Sequence, residues 1–317
     1  MRRYRGASPY RSGLPVICVG NFTAGGTGKT PLALRLAEEL RHLGEAPIFL
    51  SRGYGARLAG PHWVEPGVDT SGETGDEPLL LAAAGPALVA RDRQKGAIAI
   101  EARAIERAVI VMDDGLQNPA LEKDLTIALV DGRRGVGNGE VIPAGPLRAP
   151  LEFQLGLVDG IVVNRGIEPG DAEQPAEAAF KRIFAGPVLS AHVEPCPGPD
   201  WPGEGRVLAY AGIANPERFF TTLERLGAEV AGRRVFPDHH AYSEGDARGL
   251  LEAARRMSAR LVTTEKDLIR LKGRAGRLAD LLRATTALRI RLAIDARNVE
   301  RLRALIEGAL KARRAGG

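Results

Sequence analysis

The segment NFTAGGTGKT, residues 21–30, constrains the possible fold more than any other part of this chain. The apolar run PVICVG (15–20) precedes it and predicts a short buried strand. The segment TPLALRLAEELRHLG (30–44) carries leucines at helical spacing and ends in glycine, which predicts a helix and its stop. A strand, a glycine-rich turn and a helix N-terminus in this order are typical of a phosphate-binding loop.

This loop departs at one position from the usual pattern G-x-x-x-x-G-K-[ST]. Gly28, Lys29 and Thr30 supply the end of the pattern, but Thr23 stands in place of the first glycine. The remaining glycines still let backbone N–H groups point at phosphate oxygens. Lys29 would contact the β and γ phosphates, and the Thr30 hydroxyl would bind Mg²⁺. A chance glycine-rich turn is the alternative. The predicted nucleotide-binding residues of the loop are Thr23, Ala24, Gly25, Gly26, Thr27, Gly28, Lys29 and Thr30.

Further apolar runs predict the sheet that carries this loop. They are rich in Val, Ile, Ala and Leu, and helical stretches at 77–84 and 91–107 lie between some of them. Strands of this kind are buried on both faces, as in a parallel sheet covered by helices. We therefore predict an α/β fold with the parallel sheet of a P-loop NTPase. The predicted strands are 15–20, 46–51, 86–90, 108–114, 125–131 and 160–166.

The chain is long for a single core, and its composition changes at EPCPGPDWPGEG (194–205). Proline and glycine at this density predict a linker or hinge. Beyond it, strands at 206–212, 228–236, 260–264 and 288–294, with helices from Pro216 and at 244–257, suggest a smaller α/β unit. The last helix, 296–313, could pack on either unit. We predict a P-loop domain at 1–193, a linker at 194–205 and a smaller α/β domain at 206–317.

Composition and charge narrow the class of protein. Hydrophobic residues make up 44% and charged residues 26% of the 317-residue chain, as is ordinary for a soluble globular protein. The two cysteines are too few for a disulfide framework and indicate a reduced, cytosolic compartment. No apolar run is long enough to span a bilayer. The arginines are scattered and aromatic residues are few, so no platform for nucleic acid is predicted.

Two carboxylates follow an apolar strand in AVIVMDDGLQ, namely Asp113 and Asp114. A P-loop fold needs a carboxylate at the tip of a neighbouring strand to hold Mg²⁺. Aspartate also caps helices and starts turns, which is the alternative interpretation. The phosphate-binding loop upstream favours the metal.

Acid and base groups are suggested by TGDEPLL (74–80) and FPDHHAY (236–242). Asp76 precedes a helix, where it is either an N-cap or the carboxylate that takes a proton from an acceptor hydroxyl. His239 is either structural or a partner that orients an aspartate. Metal binding by His239 and His240 together is less favoured, because adjacent side chains in extended backbone diverge.

Several motifs occur in a fixed order along the chain and together resemble the tetraacyldisaccharide 4'-kinase family. The resemblance runs from about residue 14 into the C-terminal region, and the family's loop also lacks the first glycine. The motifs are PVICVGNFTAGGTGKTP, SRGYG (51–55), GDEP (75–78), DDGLQ (113–117), VDGRRGVGNGEVIPAGPLR (130–148), AGIANPERFF (211–220), FPDHH (236–240) and TTEKD (263–267).

The resemblance implies a lipid kinase of lipopolysaccharide biosynthesis. Such enzymes transfer the γ-phosphate of ATP, with Mg²⁺, to the 4'-hydroxyl of tetraacyldisaccharide 1-phosphate and form the 4'-phosphorylated lipid A precursor, lipid IVA. They work at the cytoplasmic face of the inner membrane, and here a peripheral or weakly anchored monomer is expected. Their partners are the lipid A disaccharide precursor and the membrane surface, not nucleic acid. Family members have two α/β domains joined by a β-ribbon, with the site in the cleft between them.

The resemblance also assigns roles to individual residues. Asp76 would be the general base, paired with His239. Lys29 would contact phosphates, and Arg52 would assist in the cleft. Gln117 would support the nucleotide. The implied metal-binding residues are Thr30, Asp113, Asp114 and Glu77.

Two departures from the family pattern stand out. Ala149 occupies the position of a glutamate after PLR, whose task would be lost or taken by Glu152. The family usually begins with a hydrophobic helix, whereas only MRRYRGASPYRSG (1–13) precedes the first strand here. That basic segment is either a solvated tail or a contact with anionic lipid, or else the natural start lies upstream. The leading alternative function is a P-loop ATPase switch that acts on a protein partner. A P-loop ligase of a soluble carboxylate is a further alternative.

Overall fold

The computed structural model describes residues 8–25, 28–167, 173–198, 201, 203 and 205–316. The strands of the described part are β1 (Val16–Gly20), β2 (Ala46–Ser51), β3 (His62–Trp63), β4 (Ala87–Val89), β5 (Ala108–Asp113), β6 (Leu125–Asp131), β7 (Gly160–Asn164), β8 (Val188–Cys196), β9 (Arg206–Ala211), β10 (Glu229–Val235), β11 (Arg260–Thr264) and β12 (Thr285–Ile294). Its helices are α1 (Lys29–His42), α2 (Ser71–Thr74), α3 (Asp76–Ala82), α4 (Arg93–Glu101), α5 (Leu151–Leu155), α6 (Pro175–Ile183), α7 (Pro216–Arg225), α8 (Glu244–Arg256), α9 (Glu265–Ile269), α10 (Gly276–Ala284) and α11 (Ala296–Ala315).

The described strands form one sheet in the order β10-β9-β11-β12-β8-β7-β6-β1-β5-β2-β4-β3. The pairs are parallel except at β8–β12 and β3–β4. Strand β1, which leads into the phosphate-binding loop, lies between β5 and β6, with Val19 opposite Asp113. All five residues of β1 are buried, because helices cover both faces of the sheet. The predicted α/β fold with a parallel sheet is confirmed.

Strand β8 was not foreseen, and it connects the two halves of the sheet. It pairs in parallel with β7 and antiparallel with β12, so that Pro195 lies opposite Ile290. Residues 194–196, placed in the linker by their proline content, are therefore the end of this strand. The sequence does not show a continuous apolar run for this strand, because its second half is only partly buried. The division of the chain into domains remains a prediction.

The predicted helix at 91–107 is too long. Helix α4 ends at Glu101, because Ala104 and Arg107 have φ angles of 48° and 54°. A left-handed backbone cannot continue a right-handed helix. The other predicted strands and helices of the first 166 residues lie within two residues of their observed bounds.

The last helix, α11, packs on the part of the sheet that carries the phosphate-binding loop. Its buried residues Leu302 and Ile306 share a core with the apolar face of α1. Ion pairs reinforce this contact: Arg303 reaches the buried Glu39, and Arg314 lies 2.6 Å from Glu45. No helix in the described ranges combines the length and apolar character that a bilayer crossing requires. The first seven residues of the basic N-terminal segment lie outside the described part.

Candidate active site

The phosphate-binding loop has the backbone that its glycines predict. Gly25 and Gly28 have φ angles of 109° and 94°, which glycine adopts without strain, and α1 begins at Lys29. Thr23 forms an antiparallel bridge with Leu147, an extended geometry that needs no glycine. The Ala24 N–H donates to the Pro146 carbonyl at 2.8 Å. The position of the first glycine can therefore be occupied by threonine, because the chain is extended there and paired with the PAGPLR segment (143–148). Gly26 and Thr27 lie outside the described residues.

Two cations hold Asp114 beside this loop. Its Oδ1 accepts a hydrogen bond from Arg148 Nη1 at 2.9 Å and lies 3.6 Å from Lys29 Nζ. Asp114 has a φ angle of 53°, a left-handed conformation that aspartate tolerates better than most residues. Arg148 also donates from Nε to the Thr23 carbonyl at 3.3 Å. Sequence reasoning missed Arg148, although it closes the PAGPLR motif.

Asp113, the last residue of β5, carries a buried carboxylate. It is 4% exposed, and its Oδ1 accepts no hydrogen bond from the described residues. The pKa of Asp113 is raised to about 6, chiefly by burial and also by Asp114 and Glu77, against the lowering effect of Lys29. Thr30, 6% exposed, lies in the first turn of α1. An orphaned carboxylate and a hydroxyl at a phosphate loop suit Mg²⁺, which takes few protein ligands together with substrate phosphates.

The predicted acid–base pair is brought together across the molecule. His239 Nδ1 lies 2.9 Å from Asp76 Oδ2, although the two residues are 163 positions apart in the chain. Asp76 opens α3 after Gly75, whose φ angle of 95° turns the chain into the helix. His239 also has a positive φ angle, 58°. Its backbone N–H donates to the Gly212 carbonyl at 3.2 Å. These backbone contacts fix the imidazole against Asp76.

A buried arginine completes this cluster, and the sequence analysis did not single it out. Arg270 Nε donates to Asp76 Oδ2 at 2.9 Å, and Arg270 Nη1 donates to Asp267 Oδ1 at 2.8 Å. Together these carboxylates outweigh burial and raise the pKa of Arg270, so the guanidinium stays charged. The spacing of Asp267 and Arg270 by three residues after TTEK was the available signal, since such residues share one helix face.

Glu77 forms an ion pair with Lys266, which belongs to the same segment as Asp267 and Arg270. Lys266 Nζ donates to Glu77 Oε1 at 2.6 Å. Burial by itself raises the pKa of Glu77, but the ion pair with Lys266 outweighs it and the net shift is downward. Glu77 is also close enough to Asp113 to raise the pKa of that carboxyl. Glu77 is therefore close both to Asp113 and to Lys266 of α9.

Gln117 braces the segment before the loop. Its Nε2 donates to the Asn21 carbonyl at 2.8 Å and to Gln154 Oε1 at 2.6 Å. Gln154 in turn donates to the Ala149 carbonyl at 2.7 Å. The backbone of Ala149, where the family has glutamate, thus belongs to this brace.

Residues near these motifs have separate surroundings. His240 lies 3.1 Å from Asp246 at the start of α8, so the two adjacent histidines serve different partners. Asn164 contacts the loop, since a Cβ on Gly28 would lie 3.5 Å from its Nδ2. Arg52 and Glu152 are exposed.

Comparisons with known proteins identify the family of this chain. The family model for tetraacyldisaccharide-1-P 4'-kinase matches residues 1–309. A tetraacyldisaccharide 4'-kinase of Methylorubrum extorquens is 53% identical over 273 residues, covering 86% of this chain and 81% of that protein. One from Methylobacterium radiotolerans is 51% identical over 302 residues, covering 95% and 88%.

Among solved structures, LpxK from Aquifex aeolicus in complex with ATP superposes with a TM-score of 0.73 at 27% identity, covering 96% of this chain and 90% of that one. The strand–loop–helix and the contact of Asp76 with His239 thus occur in a chain that matches one family over nearly its whole length. This chain belongs to the tetraacyldisaccharide 4'-kinase family.

Proposed function

We propose that this protein transfers the γ-phosphate of ATP to the 4'-hydroxyl of tetraacyldisaccharide 1-phosphate and so forms the 4'-phosphorylated lipid A precursor. Family membership over nearly the whole chain supports the reaction. The single observation that carries the mechanism is the contact of 2.9 Å between Asp76 and His239. A kinase for a sugar hydroxyl needs a positioned proton acceptor as well as a nucleotide site.

The nucleotide binds at the loop that opens α1. We expect the N-terminus of α1 to face the phosphates, with Lys29 leaving Asp114 to contact them. The Ala24 N–H is already engaged by the Pro146 carbonyl. Gln117 supports the loop from behind through the Asn21 carbonyl. Thr30, Asp113, Asp114 and Glu77 would hold the metal, and Asp114 would first have to leave Arg148 and Lys29. When bound, Mg²⁺ supplies charge neutralisation between the phosphates.

Proton transfer belongs to the Asp76 cluster. As the bond between the acceptor oxygen and the γ-phosphorus forms, the bond to the bridging oxygen of ADP breaks, and Asp76 takes the hydroxyl proton. His239 orients the carboxylate and stabilises its charge. Positioning and electrostatics of this kind supply most of the catalysis in phosphoryl transfer.

The acceptor is a lipid, so the enzyme must meet a membrane surface. We propose a peripheral monomer at the cytoplasmic face of the inner membrane, where ATP is available. We also propose that the P-loop unit, 1–193, and the smaller unit, 206–317, form the two sides of the acceptor cleft, because Asp76 belongs to one and His239 to the other. An ATPase switch is not favoured, since it would need no proton acceptor.

The test is transfer of labelled γ-phosphate from ATP to tetraacyldisaccharide 1-phosphate in mixed micelles. Wild-type protein should yield labelled lipid, and Asp76→Ala should lose at least a hundredfold in kcat with ATP binding nearly intact. His239→Ala should lose about tenfold to a hundredfold. The matched control is His240→Ala, which removes the neighbouring imidazole from Asp246 and should keep kcat within about twofold. Free phosphate without labelled lipid would instead indicate an ATPase.

A further inference from the structure

Three side-chain nitrogens lie close to one oxygen of Asp76: Arg270 Nε donates a hydrogen bond to it, His239 Nδ1 lies within hydrogen-bond distance, and Arg270 Nη2 makes an ion-pair contact without a hydrogen bond. This Oδ2 lies 2.9 Å from His239 Nδ1, 2.9 Å from Arg270 Nε and 2.7 Å from Arg270 Nη2. Across the described residues, no hydrogen bond reaches the other oxygen, Oδ1. A carboxylate with one oxygen saturated and the other unengaged has a defined proton-accepting atom.

Arg270 is itself held rigidly. Its side chain is 4% exposed, and its Nη1 donates to Asp267 Oδ1 at 2.8 Å and to the Gly212 carbonyl at 2.7 Å. Asp267 Oδ1 also accepts from the Tyr242 hydroxyl at 2.8 Å and from the Gly212 N–H at 3.0 Å. A guanidinium fixed on one edge by such a network presents its other edge in one orientation.

We infer that Arg270 is a positioning residue for the phosphoryl transfer, which holds Asp76 Oδ2 so that Oδ1 takes the proton of the acceptor hydroxyl. This inference rests on the proposed function. The step balances: the hydroxyl proton moves to Oδ1, the new oxygen–phosphorus bond forms, and ADP leaves with the electron pair of the broken bond. Arg270 exchanges no proton. It limits the rotation of the carboxylate, and misplacement by about 1 Å can cost a hundredfold in rate.

The neighbouring ion pair offers a matched control. Lys266 of α9 lies 2.6 Å from Glu77 of α3, and Arg270 is the residue that follows α9, so the two ion pairs link the same part of the fold. Among the described residues, no ion pair joins the Lys266 ammonium to Asp76. A merely structural link between these helices would affect catalysis in the same way from either position. A positioning role for Arg270 would instead act only through Asp76.

The experiment is a double-mutant cycle measured by single-turnover transfer of labelled phosphate to tetraacyldisaccharide 1-phosphate. Arg270→Met should lower the rate about tenfold to a hundredfold in the wild-type background, with the KM for ATP within about twofold. In the Asp76→Ala background the same substitution should change the rate by less than about twofold. Arg270→Lys should keep part of the rate that Arg270→Met loses. An ammonium group can reach Oδ2, but it lacks the planar set of N–H donors of the guanidinium. Lys266→Met should change the rate by one common factor in both backgrounds.

Equal losses from Arg270→Met with and without Asp76 would overturn the inference, as would an unchanged rate. Thermal unfolding of each variant checks that it folds; if Arg270→Met does not, the cycle is run with Arg270→Lys, for which additive losses overturn the inference equally. Failure of wild-type protein to label the lipid would refute the proposed function instead. The two failures are therefore distinguishable.

Discussion

Replacing Asp113 by asparagine should make the metal-free protein more stable while abolishing its function. Asp113 ends β5 with its carboxylate buried and Oδ1 without a hydrogen-bond partner among the described residues. Burial raises its pKa from 3.8 to about 6. The folded state therefore binds a proton more tightly than the unfolded chain, and stability falls as pH rises between these two values.

The magnitude follows from the size of that shift. A difference of about two pKa units corresponds to about 3 kcal/mol at pH 8, where Asp113 is ionised in both states. Asp113→Asn removes this cost and should raise the free energy of unfolding by about 3 kcal/mol, or the Tm by about 5 °C. At pH 5 the gain should shrink to about 1.5 kcal/mol, because the folded wild-type carboxyl is then mostly protonated.

The assay is calorimetry or fluorescence-detected unfolding in EDTA, without nucleotide, at pH 8 and pH 5. Asp114→Asn is the control: asparagine tolerates its left-handed backbone equally well, and the substitution weakens contacts with Lys29 and Arg148, so no gain is expected. Kinase activity of Asp113→Asn should fall at least a hundredfold at saturating wild-type Mg²⁺. A Tm at pH 8 equal to or below that of the wild type, or a gain that is the same at pH 5, would show that ionised Asp113 does not destabilise the folded state.

Two further perturbations test the loop and the last helix. Gly28→Ala should weaken ATP binding about tenfold in a titration, because a φ angle of 94° costs alanine about 1–2 kcal/mol while its Cβ meets only ordinary contacts; unchanged affinity would mean that the loop binds in another shape. Ile306→Ala should lower the free energy of unfolding by about 2–5 kcal/mol through the cavity it leaves beneath α11, whereas the exposed Glu307→Ala should stay within about 0.5 kcal/mol. Equal denaturation midpoints for these two variants would contradict the packing of α11.

Local features of the fold could be predicted from sequence because they depend on nearby residues. Continuous apolar runs indicate strands buried on both faces, and the glycines at 25 and 28 occupy the positive φ angles that their residue type permits. The error in α4 has the opposite origin. Alanine and arginine do not predict a left-handed backbone, which is usually adopted by glycine and asparagine.

The candidate site divides in the same way. Order and spacing of motifs predicted that the loop, the Asp113–Asp114 pair and the residues Asp76 and His239 belong to one catalytic set, and the structure places Asp76 beside His239. They did not reveal that Arg148 holds Asp114, or that Glu77 is paired with Lys266. These partners lie far apart in the chain, and the identity of a charged residue does not indicate which opposite charge it will contact in the folded protein.

Residue types over short stretches of the chain are enough to predict the strand–loop–helix, the α/β class and the family. Only the folding of the whole chain brings α11 against α1 and makes β8 join the two halves of the sheet. It also decided that Arg270, 194 positions from Asp76, shares one oxygen of that carboxylate with His239. The physical reason is that burial and charge pairing depend on the meeting of distant segments, which local propensity does not encode.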